Sequence, residues 1–209
     1  MPAIDWTCGK LSRVAERPVF FFGAMSPYSW FAAERIDRVI PGAEWRPVFA
    51  GGVFKACGRS SWGLDGRRPA GLADCEARAQ QRGLGAIRWP DPWPTVDVRV
   101  ARAMLVARDA GLLKPFALAA MRLAFREGCD LDELSAIEEA GRRVGLDPAD
   151  LTHAIQAPEV KLAMREETAE AVTKGVFGVP TVLFENELFW GDDHLEDAAA
   201  AVARRPPAP

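Results

Sequence analysis

The chain has 209 residues, of which 49% are hydrophobic and 26% are charged, and its formal net charge is -3. These values are typical of one compact globular unit, and no apolar run is long enough to cross a bilayer. Lys and Arg are scattered among acids rather than grouped, which argues against nucleic-acid binding. The composition therefore predicts a soluble folded protein with neither a nucleic-acid nor a membrane partner.

The N-terminal segment and the cysteines both indicate a cytoplasmic location. Residues 1–17 contain Cys8 and two acids but no apolar core, which is typical of neither a secretory signal nor a transit peptide. Four cysteines stand far apart with only two histidines to support them, so we expect reduced thiols rather than a zinc site or a disulfide framework. These cysteines are Cys8, Cys57, Cys75 and Cys129.

The first half of the chain begins with a βαβ pattern. An apolar run at Val19–Phe22 predicts a buried strand, Pro27–Val39 a helix that begins at a proline, and Glu44–Phe49 a second strand. The segment Gly51–Pro94 is rich in Gly, Pro, Arg and Trp, and we expect a long loop with one short helix near Leu72–Arg82. The length of that loop suggests a functional role.

The second half is helical and then returns to strands. Helical spacing from Thr95 to Lys174 predicts four or five helices, with breaks at Gly111, Gly128, Gly145 and Pro158. The tail changes period, so strands are expected at Val182–Glu185 and Glu187–Trp190, joined at Asn186, with a helix over Asp192–Arg204. The pattern predicts an α/β fold, in which a βαβ…ββα sheet domain (18–64 and 175–204) is interrupted by a helical insertion (65–174) and preceded by an extension (1–17).

Three local stretches narrow the fold to a family. The stretches are "SPYSW" (Ser26–Trp30), "GVFGVPT" (Gly175–Thr181) and "WGDDHLED" (Trp190–Asp197). In this order they resemble motifs of DsbA-like thioredoxin-fold proteins, specifically the kappa-class glutathione transferases and 2-hydroxychromene-2-carboxylate isomerases. The resemblance spans nearly everything from Pro18 to Ala203.

The resemblance implies glutathione as cofactor and a site for it. Ser26 would stabilise the glutathione thiolate, and a cis Pro180 would leave the backbone of Val179 free to pair with the peptide. Asp192 and Asp193 would lie at the γ-glutamyl end. Arg59 and Arg67 stand where relatives carry an Asn and a Lys that contact the glutathione backbone and glycine carboxylate, and Gly23 stands where they carry an Asp.

The same residues have simpler explanations. Ser26 is also an ordinary N-cap before a proline at the first helical position. Carboxylates at Asp192 and Asp193 are favoured at the start of any helix. A catalytic triad has little support, because neither His153 nor His194 has an evident third partner. Cys57 is either a reactive thiol near the pocket or an inert buried cysteine.

The aromatic residues of the first half suggest a substrate wall. Tyr28, Trp62, Trp89 and Trp93 are candidates to line an aromatic pocket, although core packing explains most tryptophans. The family resemblance implies a homodimeric, cytoplasmic, glutathione-dependent isomerase of aromatic catabolism that acts on an aromatic or electrophilic small molecule. A kappa-class-like glutathione transferase and a catalytically silent binding module are the alternatives.

Overall fold

The structure, a computed structural model, describes residues 17–204. In chain order its elements are β1 (Val19–Phe22), α1 (Pro27–Ala33), α2 (Ile36–Val39), β2 (Glu44–Pro47), α3 (Ala50–Ala56), a 3-10 helix (Trp62–Leu64), α4 (Arg68–Gln81), α5 (Val98–Asp109), α6 (Leu113–Glu127), α7 (Leu134–Arg143), α8 (Pro148–Ala154), α9 (Pro158–Thr173), β3 (Thr181–Phe184), β4 (Glu187–Trp190), a 3-10 helix (Asp192–His194) and α10 (Leu195–Ala203). None of the helices within 17–204 combines the length and apolar character needed to cross a membrane.

The four strands form one mixed sheet in the order β2-β1-β3-β4. Strand β1 runs parallel to β2 and antiparallel to β3, with Phe21 opposite Arg46 on one side and Thr181 on the other. Strand β4 pairs antiparallel with β3 at the edge. The α/β fold class predicted from the βαβ…ββα pattern is confirmed. The domain boundaries proposed above stay a prediction, and the extension (1–17) lies outside the described residues except for Arg17.

Strand β1 is buried because both of its faces are covered. Phe20 and Phe22 stack on each other and belong to a large core shared with α1, α5 and α6. Phe21 points the other way, into a smaller cluster that includes Val53 of α3 and Val176. Each buried phenylalanine contributes roughly 1.5–3 kcal/mol of hydrophobic stabilisation. A continuous apolar run is therefore what this central strand requires.

The helical block follows the breaks predicted from glycine and proline. Five helices, α5 to α9, lie between Thr95 and Lys174. Helix α6 ends at Gly128, whose φ of 78° is in the left-handed region that glycine tolerates best. Helix α8 begins after Asp147, whose carboxylate accepts from two backbone N–H groups of the first turn. The prediction of four or five helices is confirmed.

Three predictions in the first half and at the end of the chain are wrong in detail. The helix expected over Pro27–Val39 divides into α1 and α2, with Glu34 and Arg35 at the break in ion pairs with Arg122 of α6 and Glu196 of α10. The strand expected to reach Phe49 ends at Pro47, where the N–H is missing. The last helix is preceded by a separate 3-10 turn.

The segment Gly51–Pro94 is more helical than predicted. Helix α4 is longer than expected, and α3 was not expected at all, because two adjacent glycines weaken a helical pattern. At Gly52 a Cβ would lie 2.9 Å from the Phe49 ring and 3.1 Å from Thr168 of α9. The glycine therefore allows α3 and α9 to approach closely, and tertiary packing outweighs its low helix propensity.

We predict that Gly71→Ala destabilises the protein, although alanine normally favours a helix interior by about 1 kcal/mol. The new Cβ would lie 2.3 Å from the rigid Trp62 ring, so we expect a net loss of about 1–3 kcal/mol and a changed tryptophan fluorescence. Gly66→Ala, in the turn before α4, is the control for the substitution itself, because nothing lies within 4 Å of its Cβ position. Equal denaturation midpoints for the two variants would contradict the prediction.

Candidate functional site

A cleft of about 880 Å³ opens where four loops of the fold meet. They are the β1–α1 turn, the start of α3, the loop before α5 and the loop before β3, and the residues after β4 close one end. A volume of this size is typical of sites for small organic ligands. Most of the predicted site residues lie on these loops.

Ser26 lies at the floor of the cleft with its hydroxyl proton weakly engaged. It is the N-cap of α1, and its Oγ accepts a hydrogen bond from the Ser29 N–H at 3.2 Å. The hydroxyl donates to the Val179 carbonyl across 3.5 Å, a distance at which a hydrogen bond is weak. Within 17–204 no histidine forms a hydrogen bond with the Ser26 hydroxyl. His194, which also lines the cleft, pairs instead with Asp197 at 2.8 Å. The Ser26 hydroxyl can therefore turn and donate its proton to a ligand.

The loop before β3 brings an unused backbone group to the same place. Val179 lines the cleft, and the Val179–Pro180 bond is cis, as the resemblance implies. The Val179 N–H has no hydrogen-bond partner among the residues that the structure describes. Pro180 does not line the cleft, and its carbonyl accepts from the Gly191 N–H at 2.9 Å. Val179 rather than Pro180 is therefore the residue that can contact a ligand.

Aromatic side chains form one wall of the cleft. Tyr28, Trp62 and Trp93 line it, whereas Trp89 packs behind them, with its ring centre 4.7 Å from that of Trp93. Burial, with Cys75 and Asp74 adding to it, raises the pKa of the Tyr28 phenol. The phenol therefore stays protonated and donates to Asp74 at 2.9 Å. Three of the four aromatic residues proposed as a substrate wall are at the cleft.

The two predicted arginines both line the cleft, but only one of them has an acidic partner. Arg59 lies 5.1 Å from the ring centre of Phe177 and 5.0 Å from that of Trp190, and in the described chain it has no acidic partner. Arg67 forms an exposed ion pair with Asp65 at 2.6 Å. Lys55, which the sequence did not single out, also lines the cleft without an ion pair to any described residue. Arg59 and Lys55 are thus the cations most free to meet an anion.

Asp192 and Asp193 are adjacent in sequence but differ in exposure. Asp192 is fully buried, 2.8 Å from Arg78 and in an ion pair with Arg82, and it does not line the cleft. Asp193 lines the cleft with half of its side chain exposed, and its carboxylate lies 3.3 Å from Arg78. The structure therefore leaves Asp193 accessible to a ligand and places Asp192 in a buried ion pair behind it.

Asp97, at the start of α5, was missed by sequence reasoning. It is 3% exposed, lines the cleft, and makes no capping hydrogen bond to its own helix. Burial raises its pKa to about 7, although the backbone N–H groups of Met25 and of Asp97 itself act to lower it. In the sequence it is indistinguishable from an ordinary helix cap, so no pattern could have identified it.

Five of the seven predicted site residues come together in the cleft: Ser26, Arg59, Arg67, Val179 and Asp193. The prediction of ligand contact by Asp192 and Pro180 does not fit this geometry, because one is enclosed by arginines and the other is turned toward Gly191. Cys57 does not line the cleft, and its Sγ lies 3.9 Å from the Val176 carbonyl. Cys57, Cys75 and Cys129 are unpaired, while Cys8 lies outside the described residues.

Sequence comparison identifies the fold family. Residues 19–203 match the DSBA-like thioredoxin domain. The chain belongs to the DsbA-like thioredoxin family. This DsbA-like chain is 26% identical over 189 residues to a 2-hydroxychromene-2-carboxylate isomerase from Sphingobium xenophagum, a match that covers 85% of the chain and 93% of that relative.

Solved structures agree with the DsbA-like fold. A 2-hydroxychromene-2-carboxylate isomerase superposes with a TM-score of 0.80 at 20% identity, covering 90% of this chain and 95% of the other. The cytosolic disulfide reductase DsbM from Pseudomonas aeruginosa, in its structure with GSH, superposes with a TM-score of 0.60 at 14% identity, covering 91% and 100%. The resemblance read from the three sequence motifs is thereby confirmed at the level of the family.

We predict that Asp192→Asn lowers stability much more than Asp193→Asn does. Removing a buried charge leaves Arg78 and Arg82 without their enclosed partner, which costs about 3 kcal/mol or more, whereas a half-exposed ion pair contributes below about 1 kcal/mol. Chemical denaturation of both variants measures the difference. A loss for Asp193→Asn as large as that for Asp192→Asn would show that Asp193 is a structural residue.

Proposed function

We propose that this chain is a glutathione-dependent isomerase similar to 2-hydroxychromene-2-carboxylate isomerase. The observation that carries the proposal is the Ser26 hydroxyl, whose acceptor in the described chain is a carbonyl 3.5 Å away, at the floor of a small-molecule cleft. The similarity to named isomerases along most of the chain supports it. Assembly as a homodimer and a cytoplasmic location stay predictions.

The groups around the cleft fit glutathione, which carries one ammonium, two carboxylates, two peptide groups and a thiol. Asp193 is the carboxylate available to the ammonium, and the unpartnered Val179 N–H can donate to a peptide carbonyl. Lys55, Arg59 and Arg67 are the cations available to the carboxylates. Glutathione, when bound, supplies a nucleophilic thiolate.

The Ser26 hydroxyl can account for the ionisation of such a thiol. Lowering a thiol pKa from about 8.5 by two units requires roughly 2.7 kcal/mol. A hydrogen bond to a charged acceptor contributes about 1.5–3 kcal/mol, which is enough to stabilise the thiolate by this amount. Because α1 has only 7 residues, we expect the hydroxyl, rather than the helix dipole, to supply most of the stabilisation.

The shape and charge of the cleft favour an aromatic substrate with a carboxylate. The aromatic wall of Tyr28, Trp62 and Trp93 can pack against a planar ring. Four Lys and Arg side chains but two carboxylates line the cleft, whereas the whole chain has a net charge of -3. The positive excess is therefore local, and it favours entry of anions.

Disulfide exchange does not fit the same turn. Positions 26 and 29 are both serine, and none of the cysteines among the described residues lines the cleft. Exchange requires an attacking thiolate that forms a mixed disulfide. We therefore expect no insulin reduction. An accumulating glutathione conjugate would instead favour the transferase alternative.

We predict that Ser26→Ala raises the thiol pKa of bound glutathione by one to two units, equivalent to about 1.4–2.7 kcal/mol. Binding should weaken modestly, because most contacts are to the peptide, while turnover at neutral pH falls and partly recovers as pH rises. Ultraviolet absorbance of the thiolate, titrated in the complex, measures the midpoint. Ser61→Ala is the matched control, since Ser61 lines the same cleft and caps the short 3-10 helix. Equal titration midpoints of the thiol in the parent and in Ser26→Ala would show that Ser26 serves only as a helix cap.

We predict that Asp193→Asn raises the glutathione dissociation constant about tenfold or more, because a charge-assisted contact contributes about 1.5–3 kcal/mol. Calorimetry measures the affinity, and the thermal shift produced by glutathione provides a second reading. Asp109→Asn, at the exposed end of α5 and outside the cleft lining, is the control and should bind as the parent does. Unchanged affinity in Asp193→Asn would remove Asp193 from the site.

A further inference from the structure

Asp97 is a buried carboxylate that its own helix does not use. An aspartate at an N-cap normally accepts from the N–H groups of the first turn, yet Asp97 makes no such bond. Its Oδ2 has no hydrogen-bond partner among the described residues. A buried oxygen without a partner is rare and calls for an explanation.

The carboxylate points to the β1–α1 turn that carries Ser26. A Cβ at Gly23, the residue that begins this turn, would lie 3.5 Å from Asp97 Oδ2 and 2.9 Å from the Ala50 Cβ. Gly23 and Ser26 are joined by a hydrogen bond from the Ser26 N–H to the Gly23 carbonyl at 3.2 Å. Because position 23 has no side chain, the Asp97 carboxylate can lie close to the backbone at the start of the turn.

The groups that lie with Asp97 Oδ2 around the Gly23 position are apolar or neutral. The turn presents backbone groups of Gly23 and Met25, α3 presents Ala50, and the loop before β3 presents Val179. The charged side chains of the cleft wall are Lys55, Arg59, Arg67, Arg78 and Asp193, with His194 as a further titratable group. The pKa of Asp97 is set by burial and by two backbone N–H groups rather than by any of these.

We propose that Asp97 is the proton acceptor of this cleft, taking the proton of a thiol held at Ser26 and returning it when the thiol re-forms. The identity of that thiol as glutathione rests on the proposed function. A carboxylate oxygen of Asp97 forms the new O–H bond as the S–H bond breaks, and the electron pair of the S–H bond stays on sulfur. No oxidant, reductant or other reactant is needed.

Other groups of the cleft are less suited to this role. Asp193 already forms an ion pair with Arg78, and His194 forms one with Asp197. Asp97 combines a position beneath the turn with a pKa near neutrality, which is the value that favours proton transfer in both directions at neutral pH.

The test uses a thiol placed at the turn itself, so it does not depend on glutathione. In a Ser26→Cys background, the titration of the introduced thiol is followed by ultraviolet difference absorbance against the parent protein. A neighbouring carboxylate disfavours the thiolate, so adding Asp97→Asn should lower the thiol midpoint by about one unit, a tenfold change in ionisation. Asp109→Asn, at the exposed far end of α5, should leave the midpoint unchanged. Equal midpoints in the Asp97→Asn and Asp109→Asn backgrounds overturn the proposal.

A second measurement follows the proton when glutathione binds to the Ser26 protein. At about pH 8 Asp97 is mostly ionised while free glutathione is mostly a thiol. Because a neighbouring thiolate raises the pKa of Asp97 in turn, calorimetry in two buffers of different ionisation enthalpy should show clearly less proton release in the parent than in Asp97→Asn. Asp97→Asn should release close to one proton per glutathione wherever the thiolate absorbance shows that it forms. S-Methylglutathione, which has no thiol proton, is the control. Equal proton release in parent and Asp97→Asn overturns the proposal.

The two measurements separate the two hypotheses. If glutathione binds to neither protein while Asp97→Asn still shifts the introduced thiol, the glutathione assignment fails and the role of Asp97 stands. If glutathione binds and forms a thiolate but Asp97→Asn changes neither midpoint nor proton release, the glutathione assignment stands and the role of Asp97 fails.

Stability measured against pH shows whether Asp97 titrates and whether the variant folds. Its folded pKa of about 7 lies above the unfolded value of about 3.9, so the folded state binds the proton more tightly. Between these two values stability should fall as pH rises, and Asp97→Asn should remove that part of the fall. The variant should therefore match the parent most closely near pH 4 and gain on it toward pH 7. Parallel pH profiles would show that Asp97 does not exchange protons in this range, which also overturns the proposal.

Discussion

The turn between β1 and α1 depends on the exchange of hydrogen bonds between its two serines and the backbone around them. Ser26 Oγ accepts from the Ser29 N–H, and Ser29 Oγ, which is fully buried, accepts from the Gly23 N–H at 3.3 Å. Trp93, in the loop before α5, donates its indole N–H to the Met25 carbonyl at 3.2 Å. With both ends fixed, the Ser26 hydroxyl is placed in the cleft by the fold rather than by a ligand, which limits the entropy lost on binding.

A second constraint ties the two ends of the cleft to each other. Arg78 of α4 lies 5.3 Å from the centre of the Tyr28 ring and pairs with both Asp192 and Asp193 after β4. The same guanidinium thus contacts the aromatic wall, the buried carboxylate and the carboxylate that faces the cleft. A ligand ammonium at Asp193 has to share that carboxylate with Arg78, so added salt acts on both pairs at once.

Elements with strong local signals could be predicted from the sequence, and those decided by tertiary contacts could not. Val19–Phe22 is a buried apolar run, Gly128 marks a helix end because glycine tolerates a positive φ, and Pro158 marks a helix start because its φ is fixed and it lacks an N–H. Nothing in the sequence marks the break at Glu34, whose side chain forms an ion pair with Arg122 of the distant helix α6. Likewise Asp97 carries no signal, because only the packing of α5 against the turn decides where its carboxylate points.

The pairing of β1 with β3 joins residues near the two ends of the described chain, since Phe21 lies opposite Thr181. While the polypeptide is being synthesised, β1 and β2 emerge long before β3, and the five helices of the middle block must follow first. Contacts between residues so far apart in sequence form slowly, and until they form β1 has an unpaired edge open to other strands. The helical block, whose contacts are mostly local, can fold during this interval. The ligand cleft, by contrast, is assembled only when the last strands reach the sheet.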